Sequence, residues 1–396
     1  MLIPVSRKVL LLLCVSVCFA VLVWVCIPTQ YVTPNIFPAK WDSNEEVIKS
    51  DRIVFDAVDQ KQQPIYSTQQ DEPAPPRAQH AVLIKKEARS GSSFVGDVLN
   101  HHKDVMYYNE PLLSKVGRQK IAYSPEASVA YFDYLFKCMA DDRSGINRKV
   151  FETYLPRARQ WSKKLFLSQK RRQFDATLFN RYCKRMFSHN IIKGLMVTSM
   201  EGLINGTSMP VTVVHLIRDP RARAVSCIDS GQAGPVTISN YKEYFTRTCN
   251  NIMKDHRYGV KHLAKKGQYK VFRYEDTCSN LTKQMQSMLE FVGLPVYKEF
   301  LDYLDDINSV KEVSAKELRN HYHSVKRVIS DQLVTWRSKL KLEYLEVIET
   351  ACKDLMDTFG YKPVNGDMNM LRNISIPLHL ARDEKGLNVE YVDPIY

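Results

Sequence analysis

The sequence predicts an α/β protein, a parallel β-sheet flanked by helices, carried behind one membrane-spanning N-terminal helix. Short apolar, β-branched runs alternate with stretches of helical periodicity, the pattern of a parallel sheet with helical crossovers. Two of those runs end in small hydroxylated or basic residues, Arg89-Ser90-Gly91-Ser92-Ser93-Phe94 and Arg218-Asp219-Pro220-Arg221. Strand ends of this kind bind anions, because backbone N–H groups and a helix N-terminus converge there. The third observation is Val9–Ile27, 19 residues without a charge.

In chain order, residues 1–8 form a short tail ending in Arg7 and Lys8, and 9–27 the anchor. About 20 apolar helical residues cross a bilayer, and basic residues on the N-terminal side alone place the tail in the cytoplasm and the remainder in the lumen. A cleaved signal peptide has a shorter apolar core and a small-residue cut site, and no Ala-x-Ala follows here. Residues 28–78 are polar, carry seven prolines and read as a stem. Residues 79–396 form the lumenal domain. Sequons at Asn205, Asn280 and Asn373 fit a lumenal chain. Of nine cysteines, Cys14, Cys18 and Cys26 lie in the anchor. The other six are an even number for an oxidising space, with no pairing legible.

Strands are expected at Ala81–Ile84, Asp104–Tyr108, Ile191–Val197, Val211–Ile217 and Tyr269–Tyr274. A helix is expected to start at Ser93, another to run from Asn280 to a stop at Gly293, and a third to carry Leu342, Leu345, Ile348, Cys352 and Leu355 on one face. Lys163–Arg185, with eight basic residues and one acid, reads as a solvated helical insertion or as a lip over an acceptor cleft. The net charge of +13 suits an anionic donor or a polyanionic glycan and suits simple solubility equally. Neither anchor nor stem shows a heptad pattern, which leaves the oligomeric state open.

The first loop lacks the Gly-Lys-Ser/Thr ending that serves β/γ-phosphates and Mg²⁺, which argues against an ATPase or kinase. Backbone donors, hydroxyls and one permanent cation remain, suited to a phosphate bearing a transferable group without metal. Ser226 lies eight residues after Arg218, so the two can grip one phosphate from a strand end and the following helix. Glu110, closing the second strand, is the candidate general base. Its alternatives are a turn cap or an ion pair, and its rivals His101 and His102 fall near the end of the first helix. Asp276 either orients site residues or caps a helix. Lys326, Arg327 and Trp336-Arg337 are candidates to close over a nucleotide, with Trp336 as ordinary core the alternative.

Several motifs recur together in order: Arg89-Ser90-Gly91-Ser92-Ser93-Phe94-Val95-Gly96, Tyr107-Tyr108-Asn109-Glu110-Pro111-Leu112, Leu216-Ile217-Arg218-Asp219-Pro220-Arg221-Ala222, Arg273-Tyr274-Glu275-Asp276, Trp336-Arg337 and Phe359-Gly360-Tyr361. With the anchor, they make the chain resemble the galactose, N-acetylglucosamine and N-acetylgalactosamine 6-O-sulfotransferase family of Golgi carbohydrate sulfotransferases, from about Ala81 to Lys362. The resemblance implies a P-loop-like sulfotransferase fold and 3′-phosphoadenosine 5′-phosphosulfate as donor. It implies that Arg89, Ser90, Gly91, Ser92, Ser93 and Phe94 hold the 5′-phosphosulfate and that Arg218 and Ser226 hold the 3′-phosphate. Arg89 and Glu110 would be catalytic, no metal is expected, and the acceptor would be a glycan or glycosaminoglycan rather than a nucleic acid. A Golgi single-pass membrane protein follows from the same resemblance. The loop Arg221-Ala222-Arg223 is more basic than is usual in the family.

Two other classes share the anchor and stem. A type II glycosyltransferase often carries an Asp-x-Asp metal clamp, and none occurs in the chain. A glycan-binding protein that kept the fold without turnover would not need Arg89, Ser93, Arg218 and Ser226, all of which are present.

Overall fold

A computed structural model describes residues 75–111, 125–139, 176–194, 199–230, 237–309 and 331–380. The expected tail, anchor and nearly all of the stem lie outside the described residues, as do Lys326, Arg327 and most of the basic stretch 163–185. Among the described residues, no helix is long and apolar enough to cross a membrane.

Five strands form one sheet: β1 (His80–Lys86), β2 (Val105–Asn109), β3 (His189–Gly194), β4 (Val211–Ile217) and β5 (Tyr269–Arg273). All pairings are parallel, in the order β2-β3-β1-β4-β5, so β1 is central and every carboxyl end points to the same edge. Burial on both faces explains why the strands read as continuous apolar runs. The expected strands stand within two residues at each N-terminal end. β3 ends at Gly194, and residues 195–197 of the expected third strand lie outside the described residues.

The helices are α1 (Ser92–Leu99), α2 (Pro125–Phe136), α3 (Ala176–Met186), α4 (Met200–Gly206), α5 (Pro220–Asp229), α6 (Ile238–His262), α7 (Tyr274–Ser279), α8 (Leu281–Val292), α9 (Lys298–Asn308), α10 (Asp331–Lys339), α11 (Leu342–Ala351), α12 (Lys353–Phe359) and α13 (Met368–Arg372). Even-numbered β1 residues Val82 and Ile84 pack with α1, α8 and α9 through Val95, Leu289 and Leu304. Odd-numbered Ala81 and Leu83 face α2 and α3 through Phe132, Phe136 and Phe179. A third apolar group joins α5 and α6 to the C-terminal helices.

Asn280 caps α8 by accepting from the Lys283 N–H at 3.1 Å, and Gly293 ends it in the left-handed conformation (φ 80°), as its sequence signals require. The expected single helix around Leu342–Leu355 is instead two, α11 and α12, divided at Cys352.

Disulfides Cys138–Cys183 and Cys249–Cys352 close stretches of 45 and 103 residues, tying α2 to α3 and α6 to the α11–α12 joint. Cys227 and Cys278 are buried and belong to neither bridge. Closing loops of these lengths stabilises by about 4 and about 5 kcal/mol on the chain-entropy account. Replacing Cys249 and Cys352 with Ser is therefore expected to cost about 2–5 kcal/mol, read as a lower urea midpoint. An unchanged midpoint under non-reducing conditions would show that the bridge does not form.

Candidate active site

The site lies at the carboxyl edge of the sheet, where the loop after the central strand β1 adjoins the loop after β4. The β1 loop turns through a positive φ at Arg89 (66°) and again at Gly91 (83°) before α1 starts. Such turns direct successive N–H groups into a concavity that holds anions. No side chain caps α1 at Gly91. A Cβ at Gly91 would stand 2.1 Å from the Tyr274 ring, so glycine is required there by both conformation and space.

The six predicted loop residues divide by role. The Ser90 hydroxyl is committed inside the loop, donating to the Glu87 carbonyl at 2.9 Å. Ser92 is buried and Phe94 packs against the apolar group under α8 and α9. Ser93 Oγ accepts from Lys193 Nζ at 3.1 Å. Arg89 Nε donates to Ser226 Oγ at 2.8 Å, and Arg218 Nη1 donates to the Arg89 carbonyl at 3.0 Å. Arg89, Arg218 and Ser226 thus meet in one cluster, with Arg89 between the two residues expected to share a phosphate. The Arg218 guanidinium also lies 4.6 Å from the centre of the Tyr274 ring, a cation–π contact.

The rest of Arg-Asp-Pro-Arg builds a helix start. Asp219 caps α5 by accepting from the Arg221 N–H at 2.9 Å, and Pro220 occupies the first turn. Arg221 is fully buried and paired with Asp219 and Glu349, both at 2.8 Å. Glu275 receives the Asp219 N–H at 3.0 Å and the Tyr361 hydroxyl at 2.9 Å. Burial, with the Asp219 carboxylate adding, raises its pKa.

Glu110 follows β2 with φ 50°, its N–H donating to the Lys193 carbonyl at 2.6 Å. Its Oε1 lies 2.5 Å from Lys86 Nζ and 3.5 Å from Lys193 Nζ. Burial pushes the carboxyl up, but the two ammonium groups outweigh it and the net shift is downward. Lys86 and Lys193, buried at the ends of β1 and β3, are site residues that the sequence reading misses. A signal was available for each: Lys86 continues the Val82–Ile84 face, and Lys193 is the one charged residue in the predicted run Ile191–Val197. Lys193 bridges the donor loop and the candidate base, touching Ser93 and Glu110 together.

The sulfotransferase domain family matches residues 80–360. The chain belongs to the sulfotransferase family. It is an enzyme of sulfuryl transfer, with 3′-phosphoadenosine 5′-phosphosulfate as co-substrate. Similar sequences include carbohydrate sulfotransferase 3 of Mus musculus, 25% identical over 346 residues, covering 75% of this chain and 71% of that protein. Carbohydrate sulfotransferase 1 of Danio rerio is 25% identical over 350 residues (75% and 81%), and human carbohydrate sulfotransferase 6 is 24% identical over 365 residues (80% and 88%). Among solved structures, mouse sulfotransferase SULT7A1 complexed with PAP aligns at TM-score 0.39 and 12% identity, over 70% of this chain and 85% of that one.

Other residues singled out in the sequence have structural roles in the sulfotransferase. Trp336 is core, its indole N–H donating to the Leu333 carbonyl, and Arg337 donates to the carbonyls of Met370, Leu371, Asn373 and Ile376. That pair clamps the C-terminal segment rather than closing over a nucleotide. Asp276 takes a two-pronged ion pair from Arg273, whose guanidinium also binds the Phe359 and Leu380 carbonyls. His101 pairs with the Asp97 carbonyl of its own helix and stacks on Tyr303, while His102 is buried against the Pro295 carbonyl. Neither contacts the loop cluster through these bonds. Among the described residues, no group of three or more His, Cys, Asp or Glu could hold a metal ion.

Proposed function

We propose that this sulfotransferase transfers the sulfuryl group to a sugar hydroxyl of a glycan or glycosaminoglycan, the 6-OH of N-acetylglucosamine, galactose or N-acetylgalactosamine. The acceptor class is supported by the relatives, named as carbohydrate sulfotransferases. In this reading Arg89 and the N–H groups of Gly91–Ser93 hold the 5′-phosphosulfate, and Arg218 with Ser226 holds the 3′-phosphate. The sugar oxygen attacks sulfur in line, the sulfur–oxygen bond to the 5′-phosphate breaks, and the hydroxyl proton passes to the Glu110 carboxylate. Arg89 stabilises negative charge on the departing phosphate without giving a proton. The observation that carries the assignment is Lys193, whose ammonium reaches both Ser93 of the donor loop and Glu110.

The compartment is part of the same reading: a type II protein of the Golgi membrane with its catalytic domain in the lumen. The two disulfides favour an oxidising space, and Asn205, Asn280 and Asn373 are all exposed, as glycan attachment requires.

The test is incubation of the full chain with radiolabelled sulfate donor, chelator and three acceptors: chondroitin, keratan-type chains and N-acetylglucosamine-terminated glycans. Label in one of them is expected, and it names the sugar. A chain that labels none and gains no thermal stability from adenosine 3′,5′-bisphosphate is not a sulfotransferase of this kind.

A further inference from the structure

The basic triplet Arg221-Ala222-Arg223 at the start of α5 contains one cation that the site described above does not use. Arg221 is matched by two carboxylates. Arg223 is not. It is 1% exposed, among the apolar residues Ala222, Ala224 and Val225 of α5. Its Nε donates to the Ala88 carbonyl at 3.0 Å, and its guanidinium carbon lies 6.0 Å from the centre of the Phe245 ring. Nη1 and Nη2 are shut away from solvent and have no hydrogen-bond partner among the described residues.

A guanidinium with two idle NH₂ groups is a poor choice for stability, because a buried charge must recover its lost hydration from partners. The neighbouring carboxylate, Glu87, is engaged by Lys85 at 3.1 Å, and Lys85 by Asp255 at 3.0 Å. Glu87 attracts Arg223 through space, but no direct ion pair is made, and the two NH₂ groups lack the hydrogen bonds a buried cation needs.

The Ala88 contact shows where the return lies. Ala88 immediately precedes Arg89, whose positive φ shapes the phosphate loop. Arg223 holds the Ala88 carbonyl and Arg218 holds the Arg89 carbonyl, each at 3.0 Å. Two arginines of the β4–α5 unit thus tie back consecutive carbonyls of the β1 loop, as needed if the N–H groups that follow are to face an anion.

We propose that Arg223 is a positioning residue for the donor, fixing the backbone of the phosphate loop and supplying, without touching the nucleotide, a desolvated positive charge that a bound phosphosulfate compensates. In a water-poor interior such a charge acts over several ångströms. This rests on the donor assignment at Arg89–Phe94 and adds a residue to it.

The experiment compares R223M, R223Q and R223K in the full chain. R223M is expected to raise the donor KM by about tenfold or more, leaving the acceptor KM and kcat within about twofold, the range of an indirect effect. Its donor-free melting temperature should equal or exceed that of the wild type, while its stabilisation by adenosine 3′,5′-bisphosphate shrinks. R223Q, which can still donate to Ala88 but has no charge, should fall between R223M and R223K. R223K should stay within about threefold of the wild-type donor KM, because the charge remains. An unchanged donor KM in R223M, a rise confined to the acceptor KM, or an R223K as impaired as R223M overturns the proposal. So does failure of both R223M and R223Q to fold, since the charge would then serve the fold itself. A wild-type chain that the bisphosphate does not stabilise defeats the donor assignment instead, and is read before any variant.

Discussion

Arg89→Ala is expected to lower turnover by at least about 10²–10³-fold, the usual consequence of removing one charge-stabilising donor from a transition state, while the chain folds normally. In the proposed reading Arg89 meets both ends of the donor: its Nε bonds Ser226, assigned to the 3′-phosphate, and its backbone forms the turn of the loop assigned to the 5′-phosphosulfate. Its planar fork suits simultaneous contacts, which an ammonium cannot reproduce, so Arg89→Lys should recover only part of the activity. A backbone comparison separates loss of charge from loss of loop shape. At φ 66° alanine is strained much as arginine is, whereas glycine is not. Arg89→Gly should therefore melt no lower than Arg89→Ala and yet be equally inactive. Wild-type-like turnover in either variant, measured with radiolabelled donor, would remove Arg89 from the site.

The loop's place at the end of the central strand was legible because its residues are contiguous in sequence. Arg89 to Phe94 follows an apolar run, and its glycine is the first in the chain. The lysines were not legible, because they become site residues only through strand register. Asn109 pairs with Lys193 across β2 and β3, which sets Lys193 beside Glu110, more than 80 residues earlier in the chain. A strand-terminal lysine looks the same in sequence whether it faces water or a carboxylate. The structural commitment of Trp336-Arg337 was hidden for the opposite reason. The pair's composition fits a phosphate site, but its four carbonyl partners lie 33 to 39 residues downstream and were invisible as acceptors. Helical periodicity likewise continues unbroken from Leu342 to Leu355, although the chain breaks at Cys352, where the disulfide to Cys249 joins α6.

Glu110→Gln separates the two readings that the sequence left open, a base or an ion-pair partner. The substitution preserves shape and can still accept hydrogen bonds from Lys86 and Lys193, but it cannot take a proton from a sugar hydroxyl. As a base, Glu110 accounts for about 10²–10⁴ in kcat, with the donor KM little changed because the phosphate contacts lie elsewhere. As a purely structural partner of the two lysines, it would give a lower melting temperature and a small change in kcat. The pH profile carries a second, independent sign. Lys86 and Lys193 hold the carboxyl below its ordinary 4.5 against the effect of burial, so the carboxylate is already ionised at neutral and mildly acidic pH. Activity should therefore lose its base only as pH falls through a value below 4.5, and Lys193→Met, by withdrawing one stabilising charge, should move that acid limb upward. Any contribution of the Glu110 ion pairs to stability runs in the same direction: present above 4.5 and lost as pH falls through the depressed value. A variant Glu110→Gln with normal kcat, or an acid limb that Lys193→Met leaves in place, would assign proton removal to another group.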